Sequence, residues 1–184
     1  MARPPAARNK CLDAYISLLC EEGERAATLE ATASRAGVSK GGLLYHFASK
    51  EALAVGVIES TEEHVQLDLA RMSEVPEGAS VYYVQTSAEV DTELDRHLVA
   101  VQRLAQAGVS SASEMLKDVH SRWFQLILDE VGDQSIAHLV ILIGEGLYAH
   151  LATPDSWYQS TFDGRLQELL DLVPQLKKLK QLNE

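Results

Sequence analysis

The chain has 184 residues, room for one compact unit or two small ones, and its 46% hydrophobic content excludes a disordered chain. Its net charge of −11 argues at first sight against a nucleic-acid partner. The charge is unevenly spread, however: residues 1–52 carry seven basic and six acidic side chains, the remaining 132 carry nine and 21, so a near-neutral head precedes a strongly acidic body and a local phosphate-binding face is left open.

Apolar residues recur at helical rather than strand spacing along most of the chain, which predicts an all-α fold. After a Pro-rich arm over residues 1–7, Leu12, Tyr15, Ile16 and Leu19 mark a first helix from about Ala6 to Glu22, stopped by Gly23. Cys11 and Cys20 lie nine residues apart on it, on opposite sides at roughly 100° per residue, so they neither pair nor share a metal. They read as small hydrophobes in a reducing compartment. Thr28 is an N-cap for a second helix, about Leu29 to Ala36, whose alanines permit close packing. Gly37 supplies a sharp turn, Val38 is expected to be buried at the corner, and Ser39 caps a third helix, about Lys40 to Phe47. Ser49 caps a long fourth helix, about Lys50 to Met72, with Leu53, Val57, Thr61, Val65 and Leu69 on one edge.

Five more segments follow. The fifth runs from Ala79 to about Val90 and is Tyr-rich. The sixth, Asp91 to about Ala107, has Leu94, Leu98, Val101 and Leu104 or Ala105 on one side. The seventh runs from Ser110 to about Glu130, with Met115, Val119, Trp123 and Ile127 on its apolar face. The eighth, Ser135 to about Ala152, is apolar nearly all round and must be covered on every side. The ninth, Thr161 to about Val173, is ended or kinked by Pro174. No leader segment is visible, and the longest apolar stretch, Ile136 to Leu151, is too short and too interrupted by His138, Glu145 and His150 to span a membrane; the expected location is the cytoplasm.

The segment Leu29–Lys50 carries the chemistry. A short helix, a glycine turn and a second short helix bearing Lys40, Tyr45 and His46 form a helix-turn-helix pattern, and Lys50-Glu51-Ala52-Leu53 opens the next helix. Residues of about 8–56 resemble the N-terminal domain of the TetR family of transcriptional repressors through Thr28, Ala33 to Gly41, Leu43 to Phe47 and Ser49 to Leu53. The resemblance implies a three-helix DNA-binding domain, residues 1–49, followed by a helical effector-binding and dimerisation domain, residues 50–184. It implies DNA contacts at Thr28, Ser39, Lys40, Gly41, Gly42, Tyr45, His46 and Lys50. The physics agrees: Gly41 and Gly42 keep the helix narrow at its groove-facing end, its first N–H groups are expected to attract phosphate, and Lys40 supplies a mobile charge. Leu43 and Phe47 read as core. This chain departs from the family pattern with Gly42 where Thr, Ser or Ala is usual, Leu44 where Tyr is common, and Thr32 where Ile is usual. A buried hydroxyl at Thr32 needs a partner, such as a carbonyl one turn back.

The resemblance further implies a palindromic double-stranded DNA operator, a homodimer and release from DNA by a small hydrophobic or amphipathic effector. Candidate pocket residues are Tyr82, Tyr83, His97, Gln102, His120, Trp123, Phe124 and Tyr148; the same residues also suit ordinary core or surface. Candidate interface residues, in a four-helix arrangement from two chains, are Leu139, Ile143, Leu147, Leu166, Leu169 and Val173; the alternative is that the eighth helix is a monomer's central helix. The histidines show neither i, i+4 pairing nor a cysteine partner, so no metal site is expected, and no cofactor loop or nucleophile–base constellation suggests an enzyme. The competing function is a helical interaction module whose helix-turn-helix no longer binds DNA.

Overall fold

Nine helices follow one another among residues 5–153 and 165–176, the residues that the computed structural model describes. They are α1 (Pro5–Glu21), α2 (Leu29–Ala36), α3 (Lys40–His46), α4 (Lys50–Glu74), α5 (Ala79–Thr86), α6 (Glu93–Gln106), α7 (Ser110–Val131), α8 (Gln134–Leu151) and α9 (Leu166–Leu176). The arm over residues 1–4, the loop after Thr153 with the first turn of the expected ninth helix, and the tail beyond Leu176 lie outside the described residues. No helix among the described residues is long and apolar enough to cross a membrane.

The chain divides into two compact units. One contains the described residues up to Val65 together with Glu93–Asp118; the other contains Gln66–Thr92 together with the described residues from Val119 on. At the boundary expected between residues 49 and 50, Ser49 Oγ accepts the Ala52 N–H at 3.2 Å and caps α4, which runs unbroken to Glu74.

In the first unit α1 packs against α2, α3 and α6. Its buried face, Cys11, Leu12, Tyr15, Ile16 and Leu19, meets a core completed by Leu43, Phe47, Leu53, Val57 and Val65. Gly56 lets the Phe47 ring lie against α4, since a Cβ there would stand 2.8 Å from the ring. The buried face of α6 is His97, Ala100, Val101 and Leu104, with Leu94 and Leu98 only half-buried. The expected stripe is therefore displaced, because a histidine takes an inward position. His97 is acceptable there since its Nδ1–H donates to the Glu93 carbonyl at 2.8 Å and Ser60 Oγ lies 3.2 Å from Nε2.

In the second unit α5 packs against α8 and α9. Val84, Trp123, Ile127, Ile136, Val140, Leu147, Leu170 and Val173 are buried. α5 ends at Thr86, earlier than its apolar pattern suggests: Thr86 and Ser87 hydroxyls donate to the Tyr82 and Tyr83 carbonyls at 3.0 and 2.7 Å. α6 begins only at Glu93 because Asp91 has φ 62°, outside the right-handed helix region. The N-terminus of α5 has no side-chain cap of its own, since its cap position is Gly78. Glu130 of α7 takes that role, accepting the Ser80 N–H at 2.6 Å. Pro174 does not end α9, which runs on to Leu176; the proline merely withholds the N–H that would have bonded the Leu170 carbonyl.

Two of the residues expected at a dimer interface, Leu147 and Val173, are buried within the chain's own core and leave that set. The period of 3.6 explains the slip: on α8 the inward face is Ile136, Val140, Gly144 and Leu147, so the outward face is Leu139, Leu142 and Gly146. Ile143, Leu166 and Leu169 are half-buried, and Leu142 and Leu172, both missed from sequence, are 63% and 54% exposed.

Candidate nucleic-acid interface

Three local devices build the head. Thr28 Oγ1 accepts the Ala31 N–H at 3.1 Å and so caps α2. Thr32, fully buried one turn later, donates its hydroxyl to the Thr28 carbonyl at 2.7 Å, the partner its burial requires. Gly37 then turns the chain in the left-handed region, φ 68°, while the Val38 N–H closes the turn on the Ala33 carbonyl at 3.0 Å. Val38 is half-buried rather than buried, because the turn leaves one side of it open.

Ser39 caps α3 by accepting the Gly42 N–H at 3.0 Å. That bond, the cap expected from sequence, occupies the Gly42 N–H. It leaves the Ser39 hydroxyl hydrogen as a donor on an exposed residue. Leu43 and Phe47 anchor α3 in the core. Lys40, Gly41, Leu44 and Tyr45 are exposed, Tyr45 pointing most directly away from that core, while Gly42 and His46 are half-buried. The Tyr45 and His46 rings meet edge to face, centroids 5.2 Å apart.

A narrow helix, held by its apolar back across a glycine turn from its partner helix, is the geometry of a major-groove reader. Residues 12–57 match the family model described as bacterial regulatory proteins, tetR family. The head is that of the TetR family. A head of this family marks a DNA-binding transcriptional regulator.

The fold extends the likeness beyond the head. Salmonella enterica GusR is similar at 19% identity over 97% of this chain and 98% of its own, TM-score 0.66. A member of the TetR family from Streptomyces coelicolor A3 is similar at 20% over 92% and 98%, TM-score 0.61. The multidrug binding protein EbrR, solved with imidazole, is similar at 19% over 92% and 96%, TM-score 0.54. At these identities the likeness is one of fold. A comparison with curated protein sequences finds no match.

Four cations of the head pair with carboxylates. Lys40 pairs with Glu30, and the Lys40 ammonium holds the Glu30 carboxyl below the usual carboxylate range. Lys50 Nζ lies 2.6 Å from Glu24 Oε1 and donates to the Glu24 carbonyl at 2.8 Å, joining the start of α4 to the loop after α1. Arg35 bridges Glu21 and Glu22 at 2.6 and 2.7 Å, fixing α2 to the end of α1. Arg8 stands 3.7 Å from Glu59 and over the Phe47 ring at 5.0 Å. Sequence patterning did not reveal these pairs, because they join different helices and loops rather than i, i+4 neighbours.

The residues expected in an effector pocket are divided. His97 and Gln102 belong to the first unit, the one buried on α6 and the other exposed. In the second unit Asp68 gathers two of the expected residues: Tyr82 Oη and Trp123 Nε1 donate to its two oxygens at 2.9 and 2.8 Å. Burial, then the Asp68 charge, push the Tyr82 hydroxyl up to about 12. The Tyr83 ring lies 5.8 Å from Trp123, and His120 meets Trp123 edge to face at 5.5 Å with Glu145 Oε1 3.9 Å from its Nε2. Phe124 faces His138 at 4.5 Å, away from this group of contacts, and Tyr148 is half-buried. Asp68, absent from the sequence candidates, organises the cluster; an acidic residue on a long helix carries no signal that it faces inward.

Proposed function

We propose that the chain is a repressor that binds a palindromic operator as a homodimer and leaves it when a small hydrophobic or amphipathic effector binds. The observation that carries this reading is the outward arc of α3, Lys40, Gly41, Leu44 and Tyr45, set on a buried Leu43 and Phe47. Thr28, Ser39 and Lys40 supply phosphate contacts, with Lys50 joining them where a phosphate displaces Glu24. Gly41, Gly42, Tyr45 and His46 form the remaining contact surface.

The outward α8 residues Leu139, Leu142 and Gly146, with Ile143 at their edge, and Leu166, Leu169 and Leu172 on α9, are the dimer surface of this reading. Exposed leucines at i and i+3 favour burial by a second copy, whose two-fold symmetry matches half-sites about 34–36 Å apart or a multiple of that spacing. The effector contacts are drawn from Tyr82, Tyr83, His120, Trp123, Phe124 and Tyr148. An aromatic group organised by one carboxylate suits an apolar ligand bearing a donor or positive charge. EbrR, a multidrug binding protein in the same fold, supports an effector of that kind.

Selection of bound sequences from a random DNA pool, followed by binding measured against salt, tests the reading. A palindrome and a steep fall of affinity with salt are expected. Lys40→Ala should lower the salt slope by about 1. Recovery of no sequence, or of single half-sites only, counts against it. Leu142→Glu should give a monomer in sedimentation at micromolar concentration.

A further inference from the structure

Lys40 stands one turn before the buried Leu43, so it lies at the flank of α3 turned to α2 rather than on the face that Tyr45 carries. There its ammonium meets the carboxylate of Glu30, in the first turn of α2. Both side chains are more than half exposed, and an exposed pair of this kind adds little to stability. The two helices are already joined by the Gly37 turn and by the Val38 N–H on the Ala33 carbonyl, so the pair is not needed as a strut. The Lys50–Glu24 pair differs, since Lys50 also donates to the Glu24 carbonyl and both its side chains are largely shielded.

What the Lys40–Glu30 pair changes is the charge that DNA meets. A carboxylate and a phosphate are both anionic acceptors, and an ammonium serves either. Glu30 follows Thr28 by two residues, so its carboxylate competes for the ground that a phosphate reaching both Thr28 and Lys40 would take. The hydrogen bond from Lys40, then the backbone N–H of Glu30 itself, hold that carboxyl below the usual carboxylate range, so the competitor keeps its charge into mild acid. Residues 1–52 carry seven basic and six acidic side chains, so one lysine held or released is a large part of the positive charge the head can offer.

We propose that Glu30 is an affinity-limiting residue, an internal stand-in for a DNA phosphate that occupies Lys40 in the free head and is displaced when the DNA backbone binds. This rests on the DNA-binding reading of the head and adds a residue that works against it. A carboxylate that competes with phosphate and touches no base weakens binding to every sequence by the same factor. It therefore leaves the preference for the operator intact while shortening the hold on other DNA.

The test is a double-mutant cycle on the full-length chain, with binding measured to the selected operator and to a scrambled duplex. The salt concentration is set low enough that Lys40→Ala still binds. Glu30→Gln, of equal size and uncharged, should tighten binding to both duplexes about two- to fivefold, the range of an exposed pair, with an unchanged urea midpoint. In the Lys40→Ala background the same substitution should gain distinctly less. A carboxylate that merely repels DNA acts alike in both backgrounds, so an equal or larger gain in Lys40→Ala would overturn the proposal. So would an unchanged affinity in Glu30→Gln; a lower urea midpoint beside it would make the pair a strut. Failure of the wild-type chain to bind any duplex would instead overturn the reading of the head itself.

Discussion

Lys50 Nζ lies 2.6 Å from Glu24 Oε1 and 2.8 Å from the Glu24 carbonyl oxygen, so one ammonium ties the first turn of α4 to the loop between α1 and α2. Both side chains are about two-thirds shielded from water, so the pair is less screened than an ordinary surface bridge. Lys50→Ala should therefore lower stability by about 1–2 kcal/mol, chiefly through the lost charged hydrogen bond to the carbonyl. Urea unfolding in the absence of DNA measures it. A midpoint equal to that of the wild type would leave Lys50 a phosphate contact alone.

The start of α5 depends on a residue fifty positions away. Glu130→Gln should cost about 0.5–2 kcal/mol by weakening the acceptor for the Ser80 N–H. Gly78→Ala should cost more. Gly78 has φ 93°, and a Cβ there would collide with the Glu130 carboxylate. In the double variant the collision is unchanged while the cap is already weakened, so the two losses should be less than additive. Full additivity in thermal unfolding would dissociate the two residues.

Two glycines of α8 should respond in opposite directions. A Cβ at Gly144 would stand 2.5 Å from Tyr83 Cε1 and 2.7 Å from Ser87 Oγ, so Gly144→Ala should destabilise by about 1–3 kcal/mol through overpacking. Nothing lies within 4 Å of a Cβ at Gly146, so Gly146→Ala should gain up to about 1 kcal/mol of helix propensity in the isolated chain. Because Gly146 shares the outward face with Leu139 and Leu142, Gly146→Arg should also weaken association. Chemical unfolding and sedimentation separate these effects.

His97 makes stability depend on acidity. Burial lowers its affinity for a proton below the ordinary 6.5, and His64, whose ring centroid lies 4.3 Å away, adds repulsion; the Glu93 carbonyl and the Glu93 and Asp13 charges oppose the shift without cancelling it. The unfolded chain then takes up the proton first as pH falls through that ordinary value. Stability contributed by neutral His97 is present above it, is lost on acidification, and levels off once the folded form also protonates. Urea midpoints at pH 7.5 and 5.5 should differ, and His97→Asn should shrink the difference. An undiminished difference would assign the acid sensitivity elsewhere.

Much of the head was legible in the sequence because its signals are local. Thr28, Ser39 and Ser49 announce caps within three residues of the N–H groups they serve, and Gly37 announces its turn. Even the partner of Thr32 followed from helix geometry. What was not legible depends on which element faces which. The displaced face of α6 follows from a histidine that finds two partners inside, and hydropathy counts such a residue as outward. On α8 a helix apolar nearly all round gives periodicity no contrast, so no pattern marks Leu147 as inward or Leu142 as outward. Asp68 and Glu130 owe their roles to partners 14 to 55 residues away, beyond the reach of any pattern.

The carboxylate that Glu130 lends to α5 also sets how the chain tolerates change in length. The bend at Gly78 and the last turn of α7 are joined by that contact, so an insertion near either would part the donor from its acceptor. A chimera that imports α5 from a relative without the matching end of α7 would carry a helix with an open N-terminus. These two distant stretches are therefore a single module for exchange, and should be grafted together or left alone.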